Sequence, residues 1–260
     1  IIVSTGGSGT YANGFPLKNN ATSAATNGAY VVIKPGTHIL KIRYWVKDVA
    51  TGVEGTITKT LSSATYDQNK YYNITANLDV KNYDGDHYYM WDAQQQYWYG
   101  YEWTRHLSGN TGQPTLNNNS SPNYPQSNSD VSRWYNEYYP GYGVSNPATH
   151  TSCKDLPNVN EMTWYAAKGD PRWDADELWI TMGHLYQGGM WFKKKAVLQV
   201  EGHYDTEKSV DGTDWRINNG GNSWSVSQTL PSTADANKYF YLPASGDYEN
   251  GWPQYVGYHA

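Results

Sequence analysis

The residues best suited to do chemistry lie near the end of the chain, in the aromatic and polar stretch 245–259. Aromatic rings beside short polar neighbours are typical of binding loops, because rings give a large contact area at a small entropic cost. Binding energy at such surfaces concentrates in a few Trp, Tyr or Arg anchors. The stretch therefore predicts a ligand-binding site made of Asp247, Tyr248, Glu249, Asn250, Trp252, Gln254, Tyr255 and Tyr258. The alternative interpretation is an ordinary Gly-rich surface loop.

Carboxylates, histidines and the cysteine elsewhere form no recognisable metal or catalytic motif. Residues 84–86 lack the spacing of an EF-hand loop, and the acidic run 174–177 matches the preference for negative charge at a helix N-terminus. The seven histidines show no His-Glu-x-x-His spacing, and Cys153 is the single cysteine. We therefore expect no catalytic residues, no metal and no cofactor, although the members of a catalytic triad can be distant in sequence.

The composition restricts the class of protein. The chain has 260 residues, of which 12 are Trp and 25 are Tyr, and a net charge of -5. The acidic balance argues against a general nucleic-acid binder, and no apolar run approaches the roughly 20 residues of a membrane span. Residues 1–82 carry 8 basic against 4 acidic residues, whereas the remainder carries 11 against 20. This difference predicts two domains with different surfaces.

Residues 1–82 are predicted to form an all-β sandwich domain. Apolar residues alternate from 38 to 47 and again from 71 to 80, which is typical of half-buried strands. Further short strands are predicted at 29–33, which a Lys-Pro-Gly turn ends, and at 55–61. Several short strands joined by turns indicate a sandwich.

The segment 83–150 changes character and shows no sustained period of either kind. Aromatic clusters alternate with a polar, Asn-rich tract. We interpret it as a long connector that packs on a domain through its aromatic rings, since a loop of this length is usually tethered or functional.

Helical signals are found only after residue 155. Asn158 is followed three residues later by Glu161, which is the capping-box spacing, and Gly169 provides a stop. Met162, Tyr165 and Ala166 are predicted to share one face of this helix. A second helix is predicted to begin at Asp174, with Leu178, Met182 and Leu185 as its apolar stripe, before strands at 196–200 and 238–242. The combination predicts an α+β domain over 151–260.

Residues 156–169 read LPNVNEMTWYAAKG. This string resembles a stretch of the formylglycine-generating-enzyme superfamily, which has a divergent C-type-lectin fold. The enzymes use cysteines near the C-terminus of that domain, whereas Cys153 precedes the helix here and has no second cysteine. The resemblance therefore implies the fold and not the activity.

Two further strings extend the resemblance. Residues 60–78, TLSSATYDQNKYYNITANL, are similar to the last strands of Bacteroides-type fimbrillin (major-fimbrial-subunit-like) domains. Residues 237–244, NKYFYLPA, are similar to the C-terminal lectin-like module, of the major-paralogous-domain type, of some fimbrillin-related surface proteins. The start at Ile1 and the end at Ala260 carry no initiation or stop signal, so we expect a processed or truncated product.

The resemblance implies a cell-surface adhesin or a fimbrial (pilin-like) subunit, at the tip or in an accessory position. Its expected location is extracellular, on the bacterial cell surface, in a fimbrium or anchored at the outer membrane. The implied partners are other fimbrial subunits, joined by strand addition, and a host or microbial glycan or protein ligand. Two alternatives stay open: a secreted carbohydrate-binding module that does not polymerise, and an enzyme of the formylglycine-generating fold, which the cysteine count disfavours.

Overall fold

The computed structural model describes residues 29–75, 77–83, 151–218, 223–249 and 252–258 and seven further residues: Gly14, Tyr89, Gln96, Tyr99, Glu102, Gly220 and Gly221. The described residues fall into two units. Residues 29–46 and 56–79 belong to the N-terminal unit, and residues 47–55 and those from 80 onward belong to the C-terminal unit. Nearly all of the predicted connector 83–150 lies outside the described residues. The domain boundaries predicted at 82 and 150 stay predictions.

Strands β2 (Lys41–Lys47) and β3 (Glu54–Thr60) form a two-stranded sheet. The predicted alternation in β2 is confirmed: Ile42, Tyr44 and Val46 are partly or fully buried, and the residues between them are exposed. Trp45, on the other face, is 65% exposed. A period of two residues places one face of the strand inside, which is why sequence alone identified it.

Strands β1 (Gly36–His38) and β4 (Ala64–Tyr66) form a second antiparallel pair, in which Gly36 is opposite Tyr66. The strand predicted over 29–33 is wrong, because these residues belong to no strand and the first strand among the described residues begins at Gly36. The strand predicted over 71–80 is also wrong in its described part. Residues 71–75 and 77–80 form no strand, and Tyr72 and Ile74, which were predicted to face inward, are 42% and 37% exposed.

The C-terminal unit is built on a four-stranded sheet whose strands are neighbours in their chain order. Its strands are β5 (Lys81–Asn82), β6 (Arg172–Thr181), β7 (His184–Lys193) and β8 (Tyr239–Pro243). Strand β5 is parallel to β6, and the other pairs are antiparallel. The strand predicted at 238–242 is confirmed as β8.

Trp179 is the centre of the core of this sheet. The residue is fully buried, its ring stacks on Tyr186 and meets the edge of Tyr83. Its indole N–H donates to the carbonyl of Gly188 at 2.9 Å. An aromatic residue that is fully buried needs such a partner for its polar atom, and this bond ties the core to the middle of β7.

Helix α1 (Val159–Lys168) begins and ends where the sequence predicted. The side chain of Asn158 accepts from the backbone N–H of Glu161, and the Glu161 carboxylate accepts from that of Asn158, which completes a capping box. Of the residues predicted to share one face, Tyr165 is buried and Met162 is 48% exposed. The other buried residues of the helix are Asn160, Glu161 and Thr163.

The helix predicted from Asp174 is wrong, because residues 172–181 form strand β6. The local signal is nevertheless real: the Asp174 carboxylate accepts from the backbone N–H groups of Asp176 and Glu177, as a capping residue would. These bonds stabilise a β-bulge, since the register with β7 shifts between Asp174 and Leu178. The pairing with β7 therefore determines the structure of this segment, although its first residues carry a local signal for a helix N-terminus.

The strand predicted at 196–200 is wrong as well, because Lys195–Val200 forms the short helix α2. A 3-10 turn at Ala236–Lys238 precedes β8, and strands β9 (Asp247–Glu249) and β10 (Trp252–Gln254) follow it. The described residues therefore show a β-rich fold with two α-helices. Among them, no helix has both the length and the apolar character needed to cross a membrane.

Candidate functional site

The predicted ligand-binding stretch contains an antiparallel hairpin of β9 and β10. Trp252 is opposite Glu249, and Gln254 is opposite Asp247, which leaves residues 250 and 251 between the two strands. Pro253 lies in β10, which pairs only with β9 among the described strands. Proline has no N–H to donate to a neighbouring strand, so within sheets it is found mainly in edge strands.

Backbone hydrogen bonds attach the base of this hairpin to the four-stranded sheet. The N–H of Ala244 donates to the carbonyl of Gly188 at 3.1 Å, and the N–H of Gly257 donates to the carbonyl of Ala244 at 2.6 Å. Ala244 is fully buried. The residues on both sides of the hairpin are thus fixed to β7 and β8, which makes the sheet the platform for the predicted loop.

Two glycines, Gly188 and Gly246, allow close backbone contacts where the hairpin meets the sheet. At Gly188, with a φ of +95°, an added Cβ would lie 3.0 Å from the carbonyl oxygen of Gly257. At Gly246, with a φ of +65°, an added Cβ would collide with the carbonyl of Gln254. A side chain at either position would therefore push the hairpin away from the sheet or separate its two strands.

The described side chains of the predicted site are largely exposed. Tyr255 and Tyr258 are 54% and 79% exposed, Asp247 is exposed and Gln254 is half-buried. Tyr255 also has a φ of +56°, a left-handed conformation that is unusual for a bulky residue. Four of the predicted side chains lie outside the described part of the structure: Tyr248, Glu249, Asn250 and Trp252.

Two carboxylates of β6, Asp174 and Glu177, lie close enough to Tyr241 of β8 to affect its hydroxyl. Asp174, which is buried, accepts from the indole N–H of Trp191 at 2.9 Å and lies opposite Gly189 in the ladder. The hydroxyl of Tyr241 is buried without a hydrogen-bond partner among the described residues. Burial, together with the charges of Asp174 and Glu177, raises the pKa of Tyr241 well above its usual range, so the phenol stays protonated.

The remaining predictions concern metal-binding and catalytic residues outside the hairpin. Within the described ranges, no group of three or more His, Cys, Asp or Glu residues could hold a metal ion. Cys153 is 4% exposed, and residues 84–86 lie outside the described residues. The absence of catalytic residues, like the binding role of the hairpin, stays a prediction.

Sequence analysis missed one surface feature of the same unit. A cleft of about 490 Å³ is lined by Ala167, Asp170, Pro171, Ser223, Trp224 and Ser225. The signal in the sequence was the Ser-Trp-Ser string at 223–225, which has the same mixture of aromatic and short polar residues as 245–259.

No family model, curated protein or solved structure matches this chain.

Proposed function

We propose that this protein is a bacterial cell-surface adhesin or fimbrial subunit, whose C-terminal unit presents a ligand-binding hairpin. One observation carries the proposal: backbone bonds of Ala244 and Gly257 hold the two ends of the hairpin 247–254 at the four-stranded sheet, with Tyr255 and Tyr258 exposed beside it. Recognition loops on a rigid scaffold can vary without disturbing the core. The ligand class is a glycan or a protein, and the lectin-like character of the module comes from the resemblance alone.

The N-terminal unit supports the part of the proposal that concerns assembly. Only Val46 and Tyr66 are buried hydrophobic residues among its described positions. Three large apolar residues are at least 80% exposed there: Tyr30, Val32 and Tyr71. Two-stranded sheets are marginally stable by themselves, so a strand donated by another subunit would both cover these residues and supply backbone hydrogen bonds.

Binding is tested with an array of glycans and proteins, probed with the full chain and with a Tyr255→Ala/Tyr258→Ala variant. We expect the wild-type chain to give discrete positive spots that the double variant loses. A Tyr71→Ala variant is the matched control, because it removes an equally exposed ring from the other unit. Equal binding by the wild-type chain and the double variant would contradict the role of the hairpin.

Assembly is tested by measuring the mass of the full chain in solution over a range of concentrations with light scattering. We expect oligomers that Val32→Asp abolishes, since a charge at this position disfavours strand addition over an apolar surface. The control Val226→Asp changes a residue that is 42% exposed in the C-terminal unit. A chain that binds its ligand but remains monomeric would instead support the carbohydrate-binding module that does not polymerise.

A further inference from the structure

A cleft lies between the end of α1 and the segment 223–225. Its volume of about 490 Å³ lies within the range of roughly 300 to 1,000 Å³ that is usual for small-molecule sites. It contains one large ring, Trp224, which is 49% exposed, and one carboxylate, Asp170. The half-exposed indole offers a surface on which a ligand can stack, and the carboxylate beside it offers a hydrogen-bond acceptor.

The segment that carries Trp224 is fixed next to the carboxylate by backbone hydrogen bonds. The N–H of Ser227 donates to the carbonyl of Pro171 at 3.0 Å, and the N–H of Trp173 donates to the carbonyl of Ser227 at 2.9 Å. The guanidinium of Arg172 also donates to the carbonyl of Thr229 at 2.7 Å. The ring and the carboxylate therefore belong to one preformed surface.

One oxygen of Asp170 is fully engaged. Its Oδ2 accepts from Nη2 of Arg172 at 2.7 Å, from Nε of the same residue at 3.0 Å and from the hydroxyl of Tyr239 at 2.5 Å. Within the described part of the chain, Oδ1 accepts no hydrogen bond. The carboxylate is thus held in one orientation and keeps one acceptor oxygen, which is well suited to a hydroxyl donor.

The charges at the cleft select for a neutral ligand. The Asp170 charge is already matched by the ion pair with Arg172. The pair has no net charge, so neither a cation nor an anion gains much from it, which favours a neutral ligand. A suitable neutral ligand has an apolar face that packs on the indole of Trp224. It also has hydroxyl groups that form hydrogen bonds with Asp170 and with Ser225.

We propose that this cleft binds a neutral sugar ring, stacked on Trp224 and donating a hydroxyl hydrogen bond to Asp170. The site is separate from the hairpin 247–254 and does not depend on the function proposed for it. Both groups that define the site come from the C-terminal unit.

The test uses the full chain and four neutral disaccharides: lactose, maltose, cellobiose and N,N′-diacetylchitobiose. Saturation-transfer NMR detects binding, and calorimetry gives the dissociation constant. We expect at least one disaccharide to bind in the millimolar range, on the order of −4 kcal/mol. Trp224→Ala should weaken this binding at least tenfold, and Trp224→Phe, which keeps an aromatic face, should stay within about threefold of the wild-type affinity.

Two further variants separate the site from general effects. Trp45→Ala removes another exposed Trp, in the N-terminal unit, and should leave the affinity unchanged. Asp170→Asn should weaken binding several-fold, and the Trp224 variants keep the test valid if this variant does not fold. The proposal is overturned if none of the four disaccharides binds, or if Trp224→Ala binds as well as Trp45→Ala. Loss of array binding by the Tyr255/Tyr258 variant would leave it unaffected.

Discussion

The phenol of Tyr204 donates a 2.6 Å hydrogen bond to Oε1 of Glu161, the residue that completes the capping box of α1. The other oxygen, Oε2, accepts from the backbone N–H of Asn158 at 2.8 Å, and Lys195 lies 3.3 Å from Oε1. Glu161 is 7% exposed. A carboxylate that caps a helix thus also joins that helix to the chain that follows α2.

This network predicts a loss of stability in acid. Burial by itself would raise the pKa of Glu161, but the bonds from Tyr204, Asn158 and Lys195 outweigh it and lower the pKa. An unfolded Glu has a pKa of about 4.3, so the stabilisation is complete above that pH and is lost as the pH falls through the lower folded value. Urea unfolding is measured at pH 7 and at pH 3. Between these two pH values, the free energy of unfolding should fall less for Glu161→Gln than for the wild-type chain.

The matched control for this experiment is Glu54→Gln. Glu54 forms a surface ion pair with Lys47 at 3.1 Å, with its side chain 49% exposed. Such pairs contribute about 0–1 kcal/mol, so this variant should retain the wild-type acid sensitivity. An equal pH dependence of all three proteins would contradict the role of Glu161.

Asn158→Ala should lower the free energy of unfolding by on the order of 1 kcal/mol, as expected for the loss of an N-cap. Asn158 caps α1 and also donates from Nδ2 to the carbonyl of Thr206 at 3.0 Å. Thermal unfolding followed by circular dichroism measures the change. An unaltered melting temperature would show that the cap contributes nothing in this context.

Cys153 should be dispensable for folding and for ligand binding. It is the only cysteine, and it is 4% exposed. Cys153→Ala replaces a small buried residue by another one without adding a hydroxyl, and Cys153→Ser should bind equally well even if burial of the hydroxyl lowers its stability. If both variants folded but neither bound ligand on the array, an enzymatic role for the thiol would have to be reconsidered.

The double replacement Trp252→Ala/Tyr255→Ala should abolish adhesion and shift the melting temperature by no more than about two degrees, since exposed residues contribute little to stability. Tyr255 is 54% exposed, whereas the side chain of Trp252 is outside the described residues. Adhesion to ligand-coated surfaces and thermal unfolding are measured together. Unfolding of the double variant would identify these rings as core residues and refute the binding site.

Tyr255→Asn should increase stability while it weakens binding. Tyr255 has a φ of +56°, and the left-handed region costs an ordinary residue roughly 1–2 kcal/mol, whereas Asn tolerates it. A strained residue that is kept in place is consistent with a functional role. A variant that loses both stability and binding would indicate that Tyr255 mainly supports the hairpin.

Local sequence signals determined several elements of this protein. The alternation in β2, the capping box of α1 and the aromatic strand β8 were all predicted correctly, because each depends on neighbours within one or two turns or on a two-residue period. The same signals also located the 245–259 stretch as unusual in composition.

Long-range pairing decided the rest. Asp174 carries a capping signal, yet residues 172–181 form a strand that pairs with β7 at seven positions, and this pairing outweighs one local turn. The polar face of α1 is buried for a similar reason. Asn160 is fully buried because its amide binds the carbonyl of Glu207 and the carboxylate of Asp214, more than forty-five residues away. Periodicity within a helix cannot reveal such partners. Likewise, only tertiary structure could place Trp224 beside Asp170, since the hydrogen bonds between residues 171–173 and Ser227 bring the two segments together.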